Sequence, residues 1–401
     1  MTQLLATHPV QLRSTSPDSD KFHSTLNHNK DLLLFSKKSQ FKLSGEIPLT
    51  PDTAGIPQTT SYINNPLVEP ASIGKNVYFS FNYGLYGGIS KYEAKEGSDS
   101  TDKADPITDN VKRLMSGTPN TILGDANLGI LYVVHEDKIF VCDYDPKDPE
   151  KSARFAWSRW DKLLGDIDIT ILDATLIGNK LQLIIESSTT SADIISLDIM
   201  QDPAAASKRV YLDYRMKQTW ASGDTITLPT GYPVDASLRL VYDKTDARAG
   251  DTIPFTRLDD ILTIAAEDLH TLYPAEIAFG FTYESSLIPS TLYIRDEGGH
   301  VNPYAHLSVL KWLIHLNNSA DVNASIVSDY SNYDDQYWSG LISNDINTKT
   351  DQVANNRGTF HIGFKEKPTL AALRLWQRSH LPINITGIDY LDTYNSRGRR
   401  F

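Results

Sequence analysis

The segment RFAWSRWDKLLGDIDITILDATLIGNKLQLIIES, residues 154–187, carries the pattern that decides the fold class. Near its start it has two tryptophans, Trp157 and Trp160. It continues with two runs of alternating apolar and polar residues joined by a turn at residues 178–180, a pattern typical of a β-hairpin. Because side chains alternate along a strand, the two indole rings should face opposite sides. A planar ligand box needs both rings on one side. The segment therefore predicts a packed corner of a β-sheet unit, with Arg159 placed to pair with a carboxylate or stack on a ring.

Runs of the same kind occur on both sides of this segment. They recur about every eight to twelve residues, the spacing of all-β sandwiches, barrels and propellers. Residues 1–30 are polar and are interpreted as loop with at most one edge strand, and the glycine-rich residues 82–88 as a connection. We expect strands at residues 32–36, 40–44, 76–81, 89–95, 130–134, 139–144 and 192–199.

The β pattern continues beyond residues 201–209, which have the composition of a domain linker. In residues 308–316 the side chains divide with a period of two into a largely apolar set and a mixed set, which predicts a half-buried strand. An apolar run of this length is also compatible with a helix. As a strand, its inward face would carry Ser308, Leu310, Trp312, Ile314 and Leu316. We expect further strands at residues 209–216, 237–243, 276–286, 291–296, 358–365, 369–377 and 383–394.

The overall composition is that of an ordered, acidic and sheet-rich protein. The 401 residues are 40% hydrophobic and 22% charged, with 20 tyrosines and a formal net charge of −12. Wrapping of nucleic acid needs a basic surface, so this charge argues against a nucleic-acid-binding protein. Cys142 is the only cysteine, which excludes an intramolecular disulfide and a cysteine-based zinc site. No apolar run is long enough for a signal peptide or a membrane span, so we expect a soluble protein without a membrane anchor.

The sequence holds no motif that is specific for catalysis or ligand binding. A P-loop pattern fails at Gly74, because Glu69 stands where the first glycine belongs and Asn76 replaces the hydroxyl residue. The motifs of serine hydrolases, zinc proteases and sialidases are absent. Residues 93–109 are acidic and turn-rich, and we interpret them as a solvated surface loop, since their spacing fits no calcium loop. We therefore expect no cofactor, no metal and no catalytic residue.

Five segments, in this order along the chain, resemble a known protein family. They are DLLLFSKKSQFKLSG (31–45), EPASIGKNVYFSFNYGLYGGISKYEAKEGSDSTDKADPITDNV (69–111), SARFAWSRWDKL (152–163), GTFHIGFKEK (358–367) and LPINITGIDYLDTYNSRGRRF (381–401). Their order is similar to that in the C-terminal half of the tail nozzle proteins, or tail tubular proteins B, of short-tailed bacteriophages. That family has a W-S-x-W segment and a P-x-N-I-x-G ending, and often a tryptophan where this chain has Tyr390. The shared order, more than any single motif, carries the resemblance.

The resemblance implies an all-β structural protein of the virion. It implies a complete or partial β-propeller-like region over residues 1–205 and a β-rich platform domain with a basic tail over residues 206–401. Six identical copies would form a ring at the distal end of the tail, a conduit for genome ejection. The ring would dock on the tail adaptor (gatekeeper) protein and support the tail fibre protein. Double-stranded phage DNA would pass through it without sequence-specific binding, and synthesis would take place in the host cytoplasm.

Members of this family are typically much longer than this chain. We therefore expect either a compact nozzle or a second nozzle chain that supplies the N-terminal half. Two other functions stay open from the residues alone: a tail-associated β-propeller glycan hydrolase, and a glycan-binding module without catalysis.

Candidate interface residues lie at two places in the chain. Within the W-S-x-W segment they are Trp157, Arg159 and Trp160. The basic tail is either disordered or docks on an acidic neighbour through bidentate arginine contacts. Its candidate residues are Tyr394, Arg397, Arg399, Arg400 and Phe401.

Overall fold

The computed structural model describes residues 21–29, 31–43, 55–84, 86–93, 103–144, 155–163, 168–188, 191–199, 210–220, 223, 225–229, 232, 237–243, 250–264, 275–295, 301, 306–328, 333–340 and 357–395. Every regular element in these residues is a β-strand, which confirms the all-β prediction. The chain divides into two compact units, one of residues 1–163 and 168–201 and one of residues 164–167 and 202–401. The predicted linker at residues 201–209 lies outside the described residues.

The first unit is a series of antiparallel sheets, each built from consecutive strands. Sheet 1 contains β1 (Phe22–His28), β2 (Asp31–Ser36), β3 (Gln40–Leu43) and β4 (Gln58–Thr60), and sheet 2 contains β5 (Ala71–Ile73), β6 (Asn76–Tyr83), β7 (Tyr86–Glu93) and β8 (Lys103–Pro106). Sheet 3 contains β9 (Thr121–Asp125), β10 (Ile130–Val134), β11 (Lys138–Asp143) and β12 (Ala156–Asp161), and sheet 4 contains β13 (Thr170–Ile177), β14 (Lys180–Ser188) and β15 (Ser191–Asp198). Because the strands lie side by side in chain order, each sheet is a meander.

Sheet 2 is buried on both faces, and this organises the first unit. Side chains alternate along β6, so Val77 and Phe79 pack towards sheet 1 while Tyr78 packs towards sheet 3. The cluster between sheets 1 and 2 contains Leu33, Phe35, Val77, Phe79, Tyr92 and Ala104. The cluster between sheets 2 and 3 includes Tyr78, Ile89, Ile122, Leu131, Phe140 and Cys142. Burial on both faces explains why the sequence of β6 is almost continuously apolar.

Polar contacts also tie successive sheets together. His28 is buried at the end of β1, with its Nδ1 2.7 Å from Ser72 Oγ and its Nε2 3.0 Å from the Lys75 carbonyl oxygen. Because a carbonyl only accepts, Nε2–H is the donor in the contact with Lys75. Between sheets 3 and 4, the side-chain amide of Asn120 donates to the Ile171 carbonyl at 2.7 Å.

The glycine-rich residues 82–88 are not the connection that the sequence predicts, because most of them lie within strands. β6 and β7 stay paired as far as Tyr83 and Tyr86. Gly88 is opposite Phe81 in register, and a Cβ at Gly88 would lie 2.3 Å from Cζ of the Phe81 ring. The ring covers the glycine, so the missing side chain serves packing rather than a turn.

The acidic stretch at residues 93–109 is only partly a loop. Its residues 103–106 form β8, which pairs with β7 and places Ala104 fully buried beside Tyr92. The prediction of a solvated loop is wrong there, because one small apolar residue is enough to hold a short polar strand against a core. Residues 94–102 lie outside the described residues.

The second unit pairs strands that are distant in sequence. In spatial order, sheet 5 contains β16 (Asp213–Trp220), β21 (Ala275–Phe281) and β18 (Leu238–Tyr242), and sheet 6 contains β17 (Thr225–Thr227), β20 (Ile261–Ile264) and β19 (Phe255–Leu258). Sheet 7 contains β22 (Ser285–Leu287), β27 (Ala371–Gln377), β24 (Asp321–Ser328) and β25 (Gln336–Ser339), and sheet 8 contains β26 (Gly358–Glu366), β23 (His306–Leu316) and β28 (Ile385–Asn395).

These four sheets form two β-sandwiches. One core lies between sheets 5 and 6 around Tyr232 and Phe281, and the other lies between sheets 7 and 8 around Trp312. His380 joins the two: its Nε2–H donates to the Gly250 carbonyl at 2.7 Å. Burial lowers the pKa of His380, so the imidazole is neutral in this contact.

β23 is a strand, as predicted, but its inward face changes near its start. Trp312, Ile314 and Leu316 are buried as expected. Leu310 is 38% exposed and Val309 is buried instead, because a β-bulge between Val309 and Lys311 inserts one extra residue. The predicted inward position of Leu310 is therefore wrong.

Two other strand predictions in the second unit are also wrong in part. The described part of the predicted strand 291–296, which is residues 291–295, forms no strand, and an isolated bridge joins Arg295 to Val301. β16 begins at Asp213 rather than at residue 209. No pattern in the sequence predicted β17, β19, β20, β24 and β25, which are short or carry polar residues at alternate positions.

His135 allows a test of the first unit by pH. The ring is buried edge-on to Phe140, and this burial lowers its pKa to about 4. As pH falls, this imidazole takes up a proton in the unfolded chain before it does so in the folded one. The contribution of neutral His135 to stability is therefore complete above about pH 6.5 and is lost between about pH 6.5 and pH 4. Between pH 7 and pH 4, we expect the free energy of unfolding to fall by roughly 2–3 kcal/mol more in the unmodified protein than in His135→Phe. Urea denaturation at both pH values measures the difference.

His361→Gln is the matched control, since it also removes one histidine but from an exposed position on β26, away from the contact between His135 and Phe140. Parallel pH profiles of the unmodified protein and His135→Phe would contradict the assignment.

Candidate assembly surfaces

Trp157 lies on β12, at the edge of sheet 3, and packs inward. It is opposite Cys142 in register and contacts the cluster between sheets 2 and 3. Its Nε1–H donates to the Ile107 carbonyl at 3.3 Å. The indole therefore anchors an edge strand to the chain that follows β8, and most of its surface is committed to the core.

Trp160 lies on the opposite face of β12, as the alternation predicts. Its ring centroid is 6.1 Å from that of Tyr132. Burial, and then the charge of Asp143, raise the pKa of Tyr132 to about 12, so the phenol beneath Trp160 stays protonated. Arg159 forms an exposed ion pair, with Nε 2.7 Å from Asp161 Oδ2. The three residues do not form one ligand box, and their role at an interface stays a prediction.

The C-terminal candidates fall at the limit of the described residues. Tyr394 lies near the end of β28, opposite Leu307 on β23. Arg397, Arg399, Arg400 and Phe401 lie outside the described residues, so docking through them also stays a prediction.

Sheet 4 exposes an apolar pair that the sequence analysis missed. Ile184 on β14 and Ile194 on β15 are directly opposite one another and both face outward, with Ile194 70% exposed. Sheets 1 to 3 have four strands each, whereas the described part of sheet 4 has three, with β15 at its edge. The signal in the sequence is the run Leu183–Ile184–Ile185, since three consecutive apolar residues on a strand leave one facing outward.

A second group of exposed apolar residues lies at and after the end of β22. Leu287 ends this strand, Ile288 follows it, and Tyr293 lies in the segment 291–296 that the sequence predicted as a strand; all three are exposed. Exposed apolar patches of this kind mark protein–protein contacts more often than isolated residues do.

Tyrosine serves the core of this chain as much as its surface. Tyr78, Tyr92 and Tyr132 are among the largest fully buried side chains. Tyr232 lies between Tyr214 and Phe281, with ring centroids 5.2 and 5.4 Å away. The abundance of tyrosine therefore does not by itself indicate an interface.

The described residues hold no group of three or more His, Cys, Asp or Glu side chains placed to bind a metal ion. In this part of the chain no helix has the length and hydropathy of a membrane span. Cys142 is buried, and burial raises the pKa of its thiol, which makes it unreactive. A shallow cleft of about 300 Å³ lies beside β1, and Glu69 is the only acid in its lining, which comprises residues 22–26, 69 and 70.

Comparisons with known proteins identify a family. The sequence model of a family described as bacteriophage nozzle protein matches residues 1–401. Tail tubular protein gp12 of Escherichia phage T7 is 27% identical over 221 residues, which is 51% of this chain and 27% of that protein. The matched part of the chain thus spans about a quarter of the length of that relative.

Among solved structures, two of an exo-β-1,3-galactanase from Phanerochaete chrysosporium are similar over most of the chain. The complex with β-1,3-galactotriose is 10% identical and covers 94% of this chain and 97% of the enzyme. The complex with galactose is 9% identical and covers 97% and 100%. The TM-score is 0.23 in both, a value at which the likeness carries no argument.

Replacing residues of the W-S-x-W segment should separate core from surface roles. Trp157→Ala should lower the free energy of unfolding by about 2–4 kcal/mol, because it removes a large ring from the core. Trp157→Phe keeps most of the volume and loses the hydrogen bond to Ile107, at a cost of about 1 kcal/mol. Arg159→Ala should change stability by less than about 1 kcal/mol, since its ion pair is exposed. Chemical denaturation measures all three, and a fully stable Trp157→Ala variant would show that the indole is not part of the core.

Proposed function

Because the chain belongs to the bacteriophage nozzle protein family, whose members are structural proteins of the phage tail, we propose that six copies form a ring at the distal end of the tail and that the genome leaves the virion through it. The observation that carries this proposal is the family match over residues 1–401. In this role the chain acts through contacts between subunits and has no catalytic residue.

The first unit supports a propeller-like wall. Sheets 1 to 3 are four-stranded meanders, and sheet 2 packs face to face with the sheets before and after it through Phe79 and Tyr78. Four-stranded meanders are the blades of β-propellers. We propose that this unit is a complete or partial propeller. If it is partial, a second nozzle chain supplies the remaining blades.

A ring of identical copies needs a contact between two different surfaces of the same chain, repeated after a fixed rotation. The exposed apolar residues Ile194 and Leu287, together with Trp160, provide the kind of aromatic and aliphatic surface that subunit contacts bury. In a single copy Ile194 and Leu287 face water and Trp160 is half-buried on Tyr132, so their further burial on assembly would stabilise the ring.

The charge of the chain suits a passive conduit for DNA. Six copies at −12 each carry a formal charge of −72. Binding of duplex DNA is driven mainly by release of counterions when cations meet phosphates, and an acidic wall offers no such gain. DNA would therefore slide through the lumen without adhering and without recognition of its sequence.

Two further partners follow from the position at the end of the tail. We propose that the ring attaches to the adaptor protein and carries the tail fibre protein, with the basic tail as one contact to an acidic neighbour. Deletion of residues 396–401 leaves β28 intact and tests this contact. Unchanged binding of the adaptor by the shortened chain would exclude it.

A glycan hydrolase is the alternative, and nothing in the described residues favours it. Glycosidases flank the scissile bond with two carboxylates, whereas the cleft beside β1 contains only Glu69.

Native mass spectrometry and negative-stain imaging of the full chain, alone and with its adaptor, test the proposal. We expect a sixfold annulus of six 44.8 kDa chains, about 269 kDa in total. The outcome that would contradict it is a monomer under both conditions that hydrolyses a polysaccharide and loses that activity when one acidic residue is replaced.

The same rings provide a test of the conduit. They should not retain duplex DNA in a gel-shift assay at low salt. Tight binding that falls steeply as salt rises would show a basic lumen and exclude the passive wall.

A further inference from the structure

Among the described strands of the second unit, the last one has a partner along one side only. β28 runs from Ile385 to Asn395 at the edge of sheet 8, and it pairs with β23 along one side only. None of the described strands pairs with its other side. From Gly387 to Asn395, a length of about 30 Å, β28 has no extra residue, although β23 has a bulge opposite Leu391 and Asp392.

This edge has few of the devices by which proteins protect a free strand: one bulge at its start, between Ile385 and Gly387, and two aspartates. Natural edges are blunted by short strands, lysine, proline or bulges, because unpaired N–H and C=O groups attract another strand. β28 contains no lysine and no proline. Tyr390 and Leu391, on opposite faces of the sheet, are 43% and 47% exposed. Such an edge is suited to pairing with another chain.

The opposite edge of the same sheet is complementary in charge. Residues 385–395 carry Asp389 and Asp392 and no cation, a net charge of −2. Residues 357–367 around β26 carry Arg357, Lys365 and Lys367 against the one acid Glu366, a net charge of +2. The carboxylate of Glu366 already accepts from the Tyr333 hydroxyl at 2.6 Å, whereas all three cations are exposed.

We propose that β28 of one copy pairs with β26 of the next, so that sheet 8 continues from subunit to subunit. This rests on the proposed ring and names the contact that closes it. Within one copy β26 and β28 are both antiparallel to β23, so they run in the same direction. A rotation about the ring axis keeps the direction of each strand along that axis. β28 of one copy and β26 of the next therefore pair in parallel. Each copy then presents an acidic edge on one side and a basic edge on the other, the two unlike surfaces that a closed ring requires.

Side chains on the outer face of sheet 8 agree with this pairing. Asp389 already contacts His315 Nε2 of its own copy at 2.9 Å, and its side chain stays 71% exposed. It lies at the same level as His361, since both are opposite Leu313 on the central strand. In a continued sheet without a register shift, Asp389 of one copy would lie beside His361 of the next. On β26 the side-chain amide of Gln336 donates to the Gly363 carbonyl at 3.4 Å, so the incoming strand has to replace this one contact.

Pairing of β28 with a second β28 is the competing arrangement, and the charges disfavour it. It would bring Asp389 and Asp392 of two copies together on one edge. It would also be a twofold contact, which closes a dimer and not a ring of six.

Disulfide cross-linking tests the contact in the assembled full chain. Leu391→Cys on β28 is combined in turn with Thr359→Cys, His361→Cys and Gly363→Cys on β26, which covers the register shifts. Within one copy the two edges are about 9.6 Å apart, because β23 lies between them, so no disulfide forms inside a copy. Cys142, the only native cysteine, is buried and does not interfere.

We expect at least one pair to give a reducible ladder from dimer to hexamer, and each single variant to give none. A dimer from Leu391→Cys alone would show pairing of β28 with itself and overturn the proposal. Rings that assemble without a ladder from any pair would overturn the strand pairing and leave the ring intact. Absence of any assembly would overturn the ring and the pairing together.

Charge exchange provides an independent readout that needs no new covalent bond. Asp389→Lys with Asp392→Lys makes both edges of a copy basic, and Arg357→Glu with Lys365→Glu and Lys367→Glu makes both acidic. Each variant alone should fail to form rings, and an equimolar mixture should restore rings in which the two variants alternate. Rings formed by either variant alone would exclude an electrostatic match between these edges.

Discussion

In the described part of this chain, sheets must cover one another, because no helix is present to bury a sheet face. Sheet 2 meets this requirement most fully, with Tyr78 packed on one face and Phe79 on the other. Antiparallel sheets usually leave one face in water, so a sheet buried on both faces fixes the neighbours before and after it. The stacking of consecutive meanders in the first unit follows from this single sheet.

The second unit meets the same requirement in a different way. Its sheets face each other in pairs, and the strands that pair within a sheet come from distant parts of the chain. Face-to-face packing buries the apolar surface but leaves strand edges open. In sheet 7 these edges are short, β22 and β25, while in sheet 8 they are the long strands β26 and β28. A subunit of a larger assembly can tolerate such edges when a neighbour covers them, and a tail protein works as part of an assembly.

Alternation in the sequence predicted the hairpins well, because local pairing across a short turn depends only on neighbouring residues. The pairs β2–β3, β10–β11 and β13–β14 lie close to where the sequence places them. The same alternation correctly placed Trp157 and Trp160 on opposite faces. It failed at Leu310 because a bulge depends on the partner strands, and at Gly88 because the reason for the glycine is a ring on the neighbouring strand. The exposed pair Ile184 and Ile194 was missed because exposure depends on what covers a face and not on the hydrophobicity of the residues.

The sequence by itself determined the all-β class, the approximate position of the hairpins and, through the order of five segments, the family. These properties depend on residues near one another in the chain or on motifs that keep their order. Only the tertiary structure decided which sheets stack, which tyrosines are buried and which strands lie at an edge. Those outcomes depend on contacts between residues far apart in sequence, and an edge strand has the same local pattern of residues as a central one until its neighbours are known.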